Sequence, residues 1–431
     1  MRVRAAAASV GFALLGACSS STAGSGDVSG TVQIYSWWTS GSEKQALHAF
    51  LSEYEKGHPS VNPVNEAEQS SQTAQMDLKR RMAEGNPPDT FQVNGGDELL
   101  QYVVTGTQGA SQSKLENLDA LAQQQGWTKV IPADVLGTVS YGGHYYAVPV
   151  DIARINSLFY NVSVFTQNGL QPPTSMADFV ATAKALQAKG VTPLAVGDNG
   201  PWVLEVIFKA CMVAEGGAAY YREFVTGQNA YFSGTSTQQD ATFTAALQDF
   251  QSIMTYANTS TMRQLTWDQA VGLVATGSAG MTIMGDWALG EFIAQGKKPV
   301  VDFGEVAAPG SQGTFIFTTD TFVLPIGAPN RSAALSLLGE WGSAAGQAAF
   351  NPVKGSIAVR NDTDPSIYNA LSQQTLRDFH SLPLVGDFAL TVPATFPTVF
   401  DPALDTFVSD GNVGNVLLVV KNNYATLKST P

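Results

Sequence analysis

The chain has 431 residues, a net charge of −13 and only 14% charged residues, against an average of about 25% in soluble domains. A single hydrophobic core rarely grows beyond about 250–300 residues, so this length predicts two lobes or domains. The apolar share of 44% excludes disorder. The acidic balance argues against nucleic acid as a partner, because nucleic acids attract basic surfaces. Sparse charge favours an exported protein.

The N-terminus predicts an export signal. Two arginines precede an apolar run over residues 5–17, which is too short for a stable membrane-spanning helix and typical of a signal peptide. The run ends in Leu15-Gly16-Ala17-Cys18, which resembles the lipobox of bacterial lipoproteins, where the Cys becomes the lipidated first residue. We therefore expect a signal peptide over 1–17, lipidation of Cys18 and a flexible tether over 18–30. An ordinary signal peptide with a chance Cys is the alternative.

Alternating strand and helix patterns predict an α/β fold in the first part of the chain. Residues 31–36 predict a strand, and the Ser42 to Gln45 spacing that follows is that of a capping box at a helix start. That helix is predicted to end at Gly57. A second helix near 73–84 and a strand over 90–93 complete a strand-helix-strand-helix order, which favours parallel strands.

Further along, turn signals separate the remaining elements. Gly142-Gly143 predicts a hairpin within 139–148, and residues 150–152 then predict a crossing into a second lobe. A third helix is predicted to begin after Ser175. The later elements are a helix end at Lys189-Gly190, strands over 193–196 and 281–284, an extended crossing over 317–324, and helices over 332–349, 366–378, 396–409 and 412–428.

The sequence gives no positive sign of catalysis. The four histidines are not paired at metal-ligand spacing, and no nucleophile elbow or phosphate-binding loop occurs. We therefore predict no metal, no cofactor and no catalytic residue. A glycosidase with two dispersed carboxylates stays open as an alternative. Cys211 lies in an apolar stretch and is predicted to be a small buried hydrophobe.

Four tryptophans lie in polar loops at the predicted ends of strands or the start of a helix. Trp37 and Trp38 follow the first strand, Trp267 begins a helix, and Trp287 follows strand 281–284. Ligands of open α/β sheets bind at the carboxyl ends of strands, and an indole face can stack on a sugar ring. These four are predicted to bind ligand. The other three, Trp127, Trp202 and Trp341, are predicted to be core residues.

The chain resembles the family 1 extracellular solute-binding proteins of ABC importers, in particular the glucose/mannose-type sugar-binding lipoproteins. The resemblance covers nearly the whole mature chain, in order. The motifs that carry it are Ser36-Trp37-Trp38, Asn86-Pro87-Pro88-Asp89-Thr90-Phe91-Gln92-Val93, Tyr145-Tyr146-Ala147-Val148-Pro149-Val150, Trp267-Asp268-Gln269-Ala270-Val271, Met284-Gly285-Asp286-Trp287, Thr319-Asp320-Thr321-Phe322 and Phe350-Asn351-Pro352-Val353-Lys354-Gly355-Ser356-Ile357-Ala358.

The resemblance implies an α/β, two-lobed, periplasmic-binding-protein-like (class II) fold with a hinge of crossing segments. It implies an N-lobe of residues 31–148 and 321–370, and a C-lobe of residues 149–320 and 371–431. The two lobes are expected to close on a sugar.

The family's ligand residues fall on defined positions of this chain. They are Trp37, Trp38, Glu43 (allowing for one extra loop residue), Gln92, Trp267, Asp286, Trp287, Asp320 and Lys354. Asn94 and Leu390 stand where family members carry histidines. Asn94 still donates and accepts hydrogen bonds and is kept as a binding residue, whereas Leu390 cannot. The identity and length of the sugar therefore stay open.

The function expected from the sequence is that of a substrate-binding lipoprotein, not an enzyme. It is expected to bind a monosaccharide such as glucose, or a short oligosaccharide, with Asp320 and Lys354 holding hydroxyls. The expected partners are the sugar, the transmembrane subunits of an ABC permease, and the bacterial membrane through the lipid anchor, with the protein acting as a monomer outside the cytoplasm. The alternatives are a secreted glycosidase using Glu43, Asp286 or Asp320, and a binder of a non-sugar solute in the same fold.

Overall fold

The computed structural model describes residues 28–39, 41–67, 71–104, 113–200 and 202–429. The predicted signal peptide and Cys18 lie outside these ranges, as does the tether up to residue 27. Within them, no helix combines the length and the apolar character that a membrane crossing requires.

Strands form two main sheets, a small third sheet and a hairpin. The first main sheet has the order β2-β1-β3-β13-β6, the second has the order β11-β8-β10-β9, and the small sheet has the order β14-β12-β7. Strands β4 and β5 form the hairpin predicted around Gly142-Gly143. The strands are β1 Gly30–Tyr35, β2 Val61–Asn65, β3 Thr90–Asn94, β4 Ser140–Tyr141, β5 His144–Tyr145, β6 Ala147–Pro149, β7 Ala153–Arg154, β8 Ser157–Asn161, β9 Thr192–Leu194, β10 Ala279–Met284, β11 Phe303–Ala307, β12 Phe315–Thr318, β13 Asp320–Val323 and β14 Leu384–Gly386.

Helices cover the sheets and make up most of the later part of the chain. They are α1 Gly41–Gly57, α2 Ser71–Ala83, α3 Asp97–Val103, α4 Asp119–Gln125, α5 Trp127–Val130, α6 Ala133–Thr138, α7 Val162–Gln167, α8 Met176–Ala188, α9 Trp202–Val225, α10 Ala241–Met254, α11 Trp267–Ala275, α12 Trp287–Ala294, α13 Arg331–Trp341, α14 Ala344–Lys354, α15 Ala370–Ser381, α16 Phe388–Thr391, α17 Pro397–Asp410 and α18 Val413–Asn423. Short 3₁₀ turns occur at Met262–Gln264, Pro365–Ile367 and Tyr424–Ser429.

The first main sheet confirms the predicted α/β layer. Strand β1 pairs in parallel with β2 and with β3, and helices α1 and α2 connect them. Strand β13 returns antiparallel to β3, with Asp320 opposite Asn94. The carboxyl ends of β1 and β3 therefore meet the start of β13, where the chain enters this sheet from the small one.

Two separate hydrophobic cores define two lobes. The first core surrounds the first main sheet and includes Trp127 and Trp341, both 0% exposed. The second surrounds the other main sheet and contains Phe208 and the buried Cys211. The core positions predicted for Trp127, Trp341 and Cys211 are confirmed.

The small sheet lies between the lobes and contributes to both cores. Alternate side chains of a strand point to opposite faces of a sheet, so one strand can pack against both lobes. Phe315 and Phe317 of β12 pack in the first core, whereas Ile316 between them packs in the second. The predicted lobe boundaries stay a prediction. One difference is that Phe379 on α15, assigned to the C-lobe from the sequence, packs against Phe315 in the first core.

Two local predictions are wrong. The pattern over 332–349 contains two helices, α13 and α14, because the chain breaks at Gly342 and Ser343 caps α14 through the Gly346 N–H. The capping box at Ser42 does not form, because α1 begins one residue earlier, at Gly41. The Ser42 hydroxyl is buried and has no hydrogen-bond partner among the described residues.

Candidate functional site between the lobes

A buried lysine lies between two aspartates where the lobes join. Lys354 ends α14, and its Nζ donates to Asp151 Oδ2 at 2.5 Å and to Asp320 Oδ2. The side chains of Lys354, Asp151 and Asp320 are 2%, 0% and 8% exposed. The structure therefore brings together Asp320 and Lys354, as predicted, and adds Asp151 from the first crossing. We call these three residues the junction triad.

Polar side chains of the first lobe support the triad. Gln92 Nε2 donates to Asp320 Oδ1 at 2.7 Å, and Ser36 Oγ donates to Gln92 Oε1 at 2.6 Å. Both Gln92 and Ser36 are buried. Gln92 therefore fixes the orientation of the Asp320 carboxylate, and this is the contact by which it contributes to the site.

Burial and mutual contact set the ionisation of the triad. Burial raises the pKa of Asp151 to about 7, although the neighbouring Lys354 ammonium opposes this rise. Burial would by itself lower the pKa of Lys354, but the carboxylates, Asp151 first, outweigh it and raise the pKa. The lysine is therefore charged, and it neutralises part of the negative charge of the junction.

A further acid of the first lobe, Glu43, lies near the triad and near an acid of the second lobe. It lies half-buried in the first turn of α1. Burial raises its pKa to about 8, and Asp320, Asp151 and Asp268 raise it further while Lys354 opposes. Asp268 lies in the first turn of α11 in the second lobe. Acids from both lobes therefore contribute to the raised pKa of Glu43.

A further acid accompanies Asn94 in the first lobe. Asn94 Nδ2 donates to Glu98 Oε2 at 2.7 Å, and Gln75 Nε2 donates to the other oxygen at 3.2 Å. Burial raises the pKa of Glu98 to about 7. Sequence reasoning missed Glu98 and Asp151. An acid just after a predicted strand or inside a predicted crossing was the available signal for each.

Asp286 is enclosed just before α12. It is 0% exposed, and its Oδ2 accepts the Arg154 backbone N–H at 2.9 Å. Its other oxygen has no hydrogen-bond partner among the described residues. Burial raises the pKa of Asp286 well above its usual range, and nearby Glu305 adds to the rise. Asp286 therefore orients the crossing at Arg154 and offers one unpartnered oxygen.

Three of the four tryptophans predicted to bind ligand keep part of their surface accessible. Trp37, Trp267 and Trp287 are half-buried, the first in the N-lobe and the other two in the C-lobe. Trp202, predicted to be a core residue, is also half-buried, and its ring centroid lies 6.0 Å from that of Trp287. The structure thus adds Trp202 to the aromatic side chains near the strand ends.

Trp38 differs from its neighbour in sequence. It is 1% exposed and packs in the first core, where its ring lies 4.7 Å from Phe350 and 5.7 Å from Phe322. Lys354 Nζ lies 5.0 Å from the Trp38 ring, within cation–π range. In this structure Trp38 supports the triad lysine from the core and does not present a stacking face.

Two lobes, crossing segments and a junction of charged and aromatic side chains together suit the binding of a small solute. Residues 38–348 match the family of bacterial extracellular solute-binding proteins. The chain belongs to this family, whose members bind solutes and are not enzymes. The glycosidase alternative is therefore wrong.

Two relatives are about one-third identical to this chain over the aligned residues. It is 35% identical over 360 residues to an uncharacterised ABC transporter extracellular-binding protein of Pyrococcus horikoshii, covering 81% of this chain and 76% of the relative. It is 31% identical over 348 residues to a probable sugar-binding periplasmic protein of Brucella suis, covering 80% of this chain and 79% of the relative.

A solved structure shares the fold. The bacterial solute receptor AcbH, described as having an exclusive preference for β-D-galactopyranose, matches with a TM-score of 0.78. The alignment covers 94% of this chain and 99% of AcbH, at 19% sequence identity. This likeness supports the two-lobed α/β architecture.

Proposed function

We propose that this protein is the sugar-binding receptor of an ABC importer. It binds a monosaccharide such as glucose, or a short oligosaccharide, between its lobes and delivers it to the permease. Its similarity to a probable sugar-binding periplasmic protein and to an ABC transporter extracellular-binding protein supports this proposal.

The observation that carries the proposal is the combination of acids and accessible indoles contributed by both lobes. Carboxyl groups bond sugar hydroxyls, as acceptors when ionised and as donors when protonated. Such bonds contribute about 0.5–1.5 kcal/mol each, or roughly 1.5–3 kcal/mol when the acid is ionised. The half-buried rings of Trp37 and Trp287 offer flat apolar faces for the C–H side of a pyranose. Micromolar affinity requires only about −8 kcal/mol, so a few such contacts suffice.

Ligand binding is proposed to select the closed arrangement of the lobes. Glu43 and Trp37 belong to the first lobe, whereas Trp267 and Trp287 belong to the second. A sugar that contacts both sets gains its full interaction energy only when the lobes approach each other. The mechanism is binding and closure without covalent chemistry.

Membrane attachment is a separate part of the proposal. We propose that Cys18 is lipidated after signal cleavage and that the mature protein is a monomer at the outer face of the cell membrane. Metabolic labelling with a radioactive fatty acid tests the first point, since Cys18→Ser should abolish the label. Light scattering of the tether-free protein tests the second, and a stable dimer would contradict it.

A thermal-shift screen over sugars and non-sugar solutes tests the function. At 100 times its Kd, a ligand stabilises the folded state by about 2.7 kcal/mol, which raises Tm by about 3 °C in a protein of this size. We expect such a rise with D-glucose or another sugar. A rise only with a polyol, a betaine or a peptide would overturn the sugar assignment.

Tryptophan variants then test the site by calorimetry. We expect Trp287→Ala and Trp267→Ala to weaken sugar binding about 10- to 100-fold, the range for losing a stacking side chain. Tyr231→Ala is the matched control, because this half-buried ring lies under Lys421, 4.2 Å from its Nζ, and not at the junction. Unchanged affinity in both tryptophan variants would show that the sugar binds elsewhere.

A further inference from the structure

A carboxylate of the second lobe binds the first turn of helix α1 in the first lobe. Glu291 lies on α12, whose Leu289 and Phe292 pack in the second core. Its Oε2 accepts the Ser42 backbone N–H at 2.9 Å, and its Oε1 accepts the Gln295 side chain at 3.0 Å. Glu291 is only 6% exposed, so both oxygens are used inside the junction.

The position of Glu291 matches what a helix start requires. The first N–H groups of a helix have no intrahelical partner and carry a partial positive charge, so a carboxylate is stabilised there. The Ser42 side chain does not supply this cap, since its hydroxyl makes no hydrogen bond to the described residues. Among the described residues, the cap of α1 therefore comes from the other lobe, 249 residues further along the chain.

Two glycines make this approach possible. A Cβ at Gly41, whose φ is +56°, would lie 2.4 Å from Glu291 Oε2. A Cβ at Gly290 would lie 2.2 Å from the carbonyl oxygen of Lys354. A larger residue at Gly290 would push α12 away from the first lobe, and one at Gly41 would displace the Glu291 carboxylate from the start of α1. The sequence therefore permits α12 to contact both α1 and the end of α14.

The elements joined by this contact carry ligand-site residues. Glu43 follows Ser42 directly on α1, and Trp287 begins α12 one turn before Glu291. We propose that Glu291 is a positioning residue of the ligand site, which caps α1 across the lobes and holds Glu43 and Trp287 in the orientation where both face one ligand. This inference rests on the proposed sugar-binding function.

Three variants separate a positioning role from a general structural one. Glu291→Ala removes the cap, and Glu291→Gln keeps an oxygen that accepts the Ser42 N–H. Glu55→Ala is the matched control, because it removes the same charge from an exposed position of α1. Hydrogen–deuterium exchange of peptides containing Ser42 reports the cap directly, without ligand. Calorimetry with D-glucose, or with the sugar that gives the largest thermal shift, reports the site.

The expected result is a paired effect that the conservative variant rescues. Glu291→Ala should speed exchange at the first turn of α1 and weaken sugar binding, each by at least tenfold, whereas Glu291→Gln and Glu55→Ala should stay within threefold of wild type. Unchanged exchange, or faster exchange with unchanged affinity, in Glu291→Ala would overturn the proposal. Failure of the wild type to bind any sugar would instead overturn the proposed function, and the exchange result would still report whether Glu291 caps α1.

Discussion

Replacement of Lys354 by Met is the most direct perturbation of the junction triad. The lysine ammonium lies within 2.5 Å of Asp151 Oδ2 and also bonds Asp320, and these side chains are at most 8% exposed. Removing one partner of a buried ion pair usually costs about 3–5 kcal/mol, because the remaining charge stays buried without compensation. Here two carboxylates would remain, so we expect Lys354→Met to lose about 3–5 kcal/mol of unfolding free energy at pH 8.

The loss should shrink at low pH. The pKa of Asp151 is raised from 3.8 to about 7 even with the lysine present, and it rises further without it. Between about pH 4 and pH 7 this carboxyl is protonated in the folded state but ionised in the unfolded state. Its contribution to stability therefore falls as the pH rises through this range. At pH 5 the buried carboxyl can be neutral, and we expect the loss in Lys354→Met to be about 1–3 kcal/mol smaller than at pH 8.

Urea unfolding at pH 5 and pH 8 measures both quantities. Lys44→Met is the control, since Lys44 is an exposed residue of α1 and should change stability by less than about 0.5 kcal/mol. Asp151→Asn in the Lys354→Met background should recover part of the loss at pH 8, because it removes one of the two facing charges. An equal loss at both pH values, or no recovery in the double variant, would refute the electrostatic reasoning.

Three further predictions concern Glu43, Trp341 and Lys209. Glu43→Gln should raise Tm by about 2–4 °C at pH 9 and leave it unchanged at pH 4. The reason is that the Glu43 carboxyl, whose pKa is raised to about 8, destabilises the folded protein only at pH values above its pKa in the unfolded chain. An equal rise at both pH values would contradict this. Trp341→Ala should cost about 3–5 kcal/mol in urea unfolding, since the centroid of this core ring lies 3.4 Å from that of Phe50. It should leave sugar affinity unchanged. A large loss of affinity under conditions where the variant is fully folded would count against the core assignment. Lys209→Met should lower the unfolding free energy by about 3–5 kcal/mol, because it leaves the buried carboxylates of Glu205 and Asp387 without their cation. A loss below about 1 kcal/mol would show that these acids are neutral in the variant.

The tandem tryptophans show what sequence reasoning reaches and where it stops. Their position after β1 follows from the strand pattern, and the structure places them there. Two adjacent residues after a strand point in different directions, however, and the sequence does not state which one turns inward. Trp38 turns toward Phe350 and Trp341, which are more than 300 residues away, so its burial is decided by tertiary packing.

Some charged residues of the junction could likewise be located from the sequence, whereas the role of others depends on tertiary contacts. Asp320 and Lys354 could be located because they lie in recognisable motifs at a strand start and a helix end. Asp151 lies in a segment that the sequence identified only as a crossing, and its importance comes from the 2.5 Å contact to Lys354, 203 residues away. The cap of α1 is a stronger case. Ser42 has the local spacing of a capping box, yet a carboxylate from the other lobe takes that role.

These contacts change how binding data at the junction should be interpreted. Lys354 bonds Asp151 and Asp320, and its carbonyl oxygen is in close contact with Gly290 of the second lobe. A weaker sugar affinity in Lys354→Ala would therefore combine a lost hydroxyl contact with a disturbed hinge. The side chain of Trp287 is half-buried and is bonded to neither aspartate, so its removal leaves the triad intact. Affinity loss in Trp287→Ala with unchanged stability is consequently the cleaner evidence that the ligand lies between the lobes.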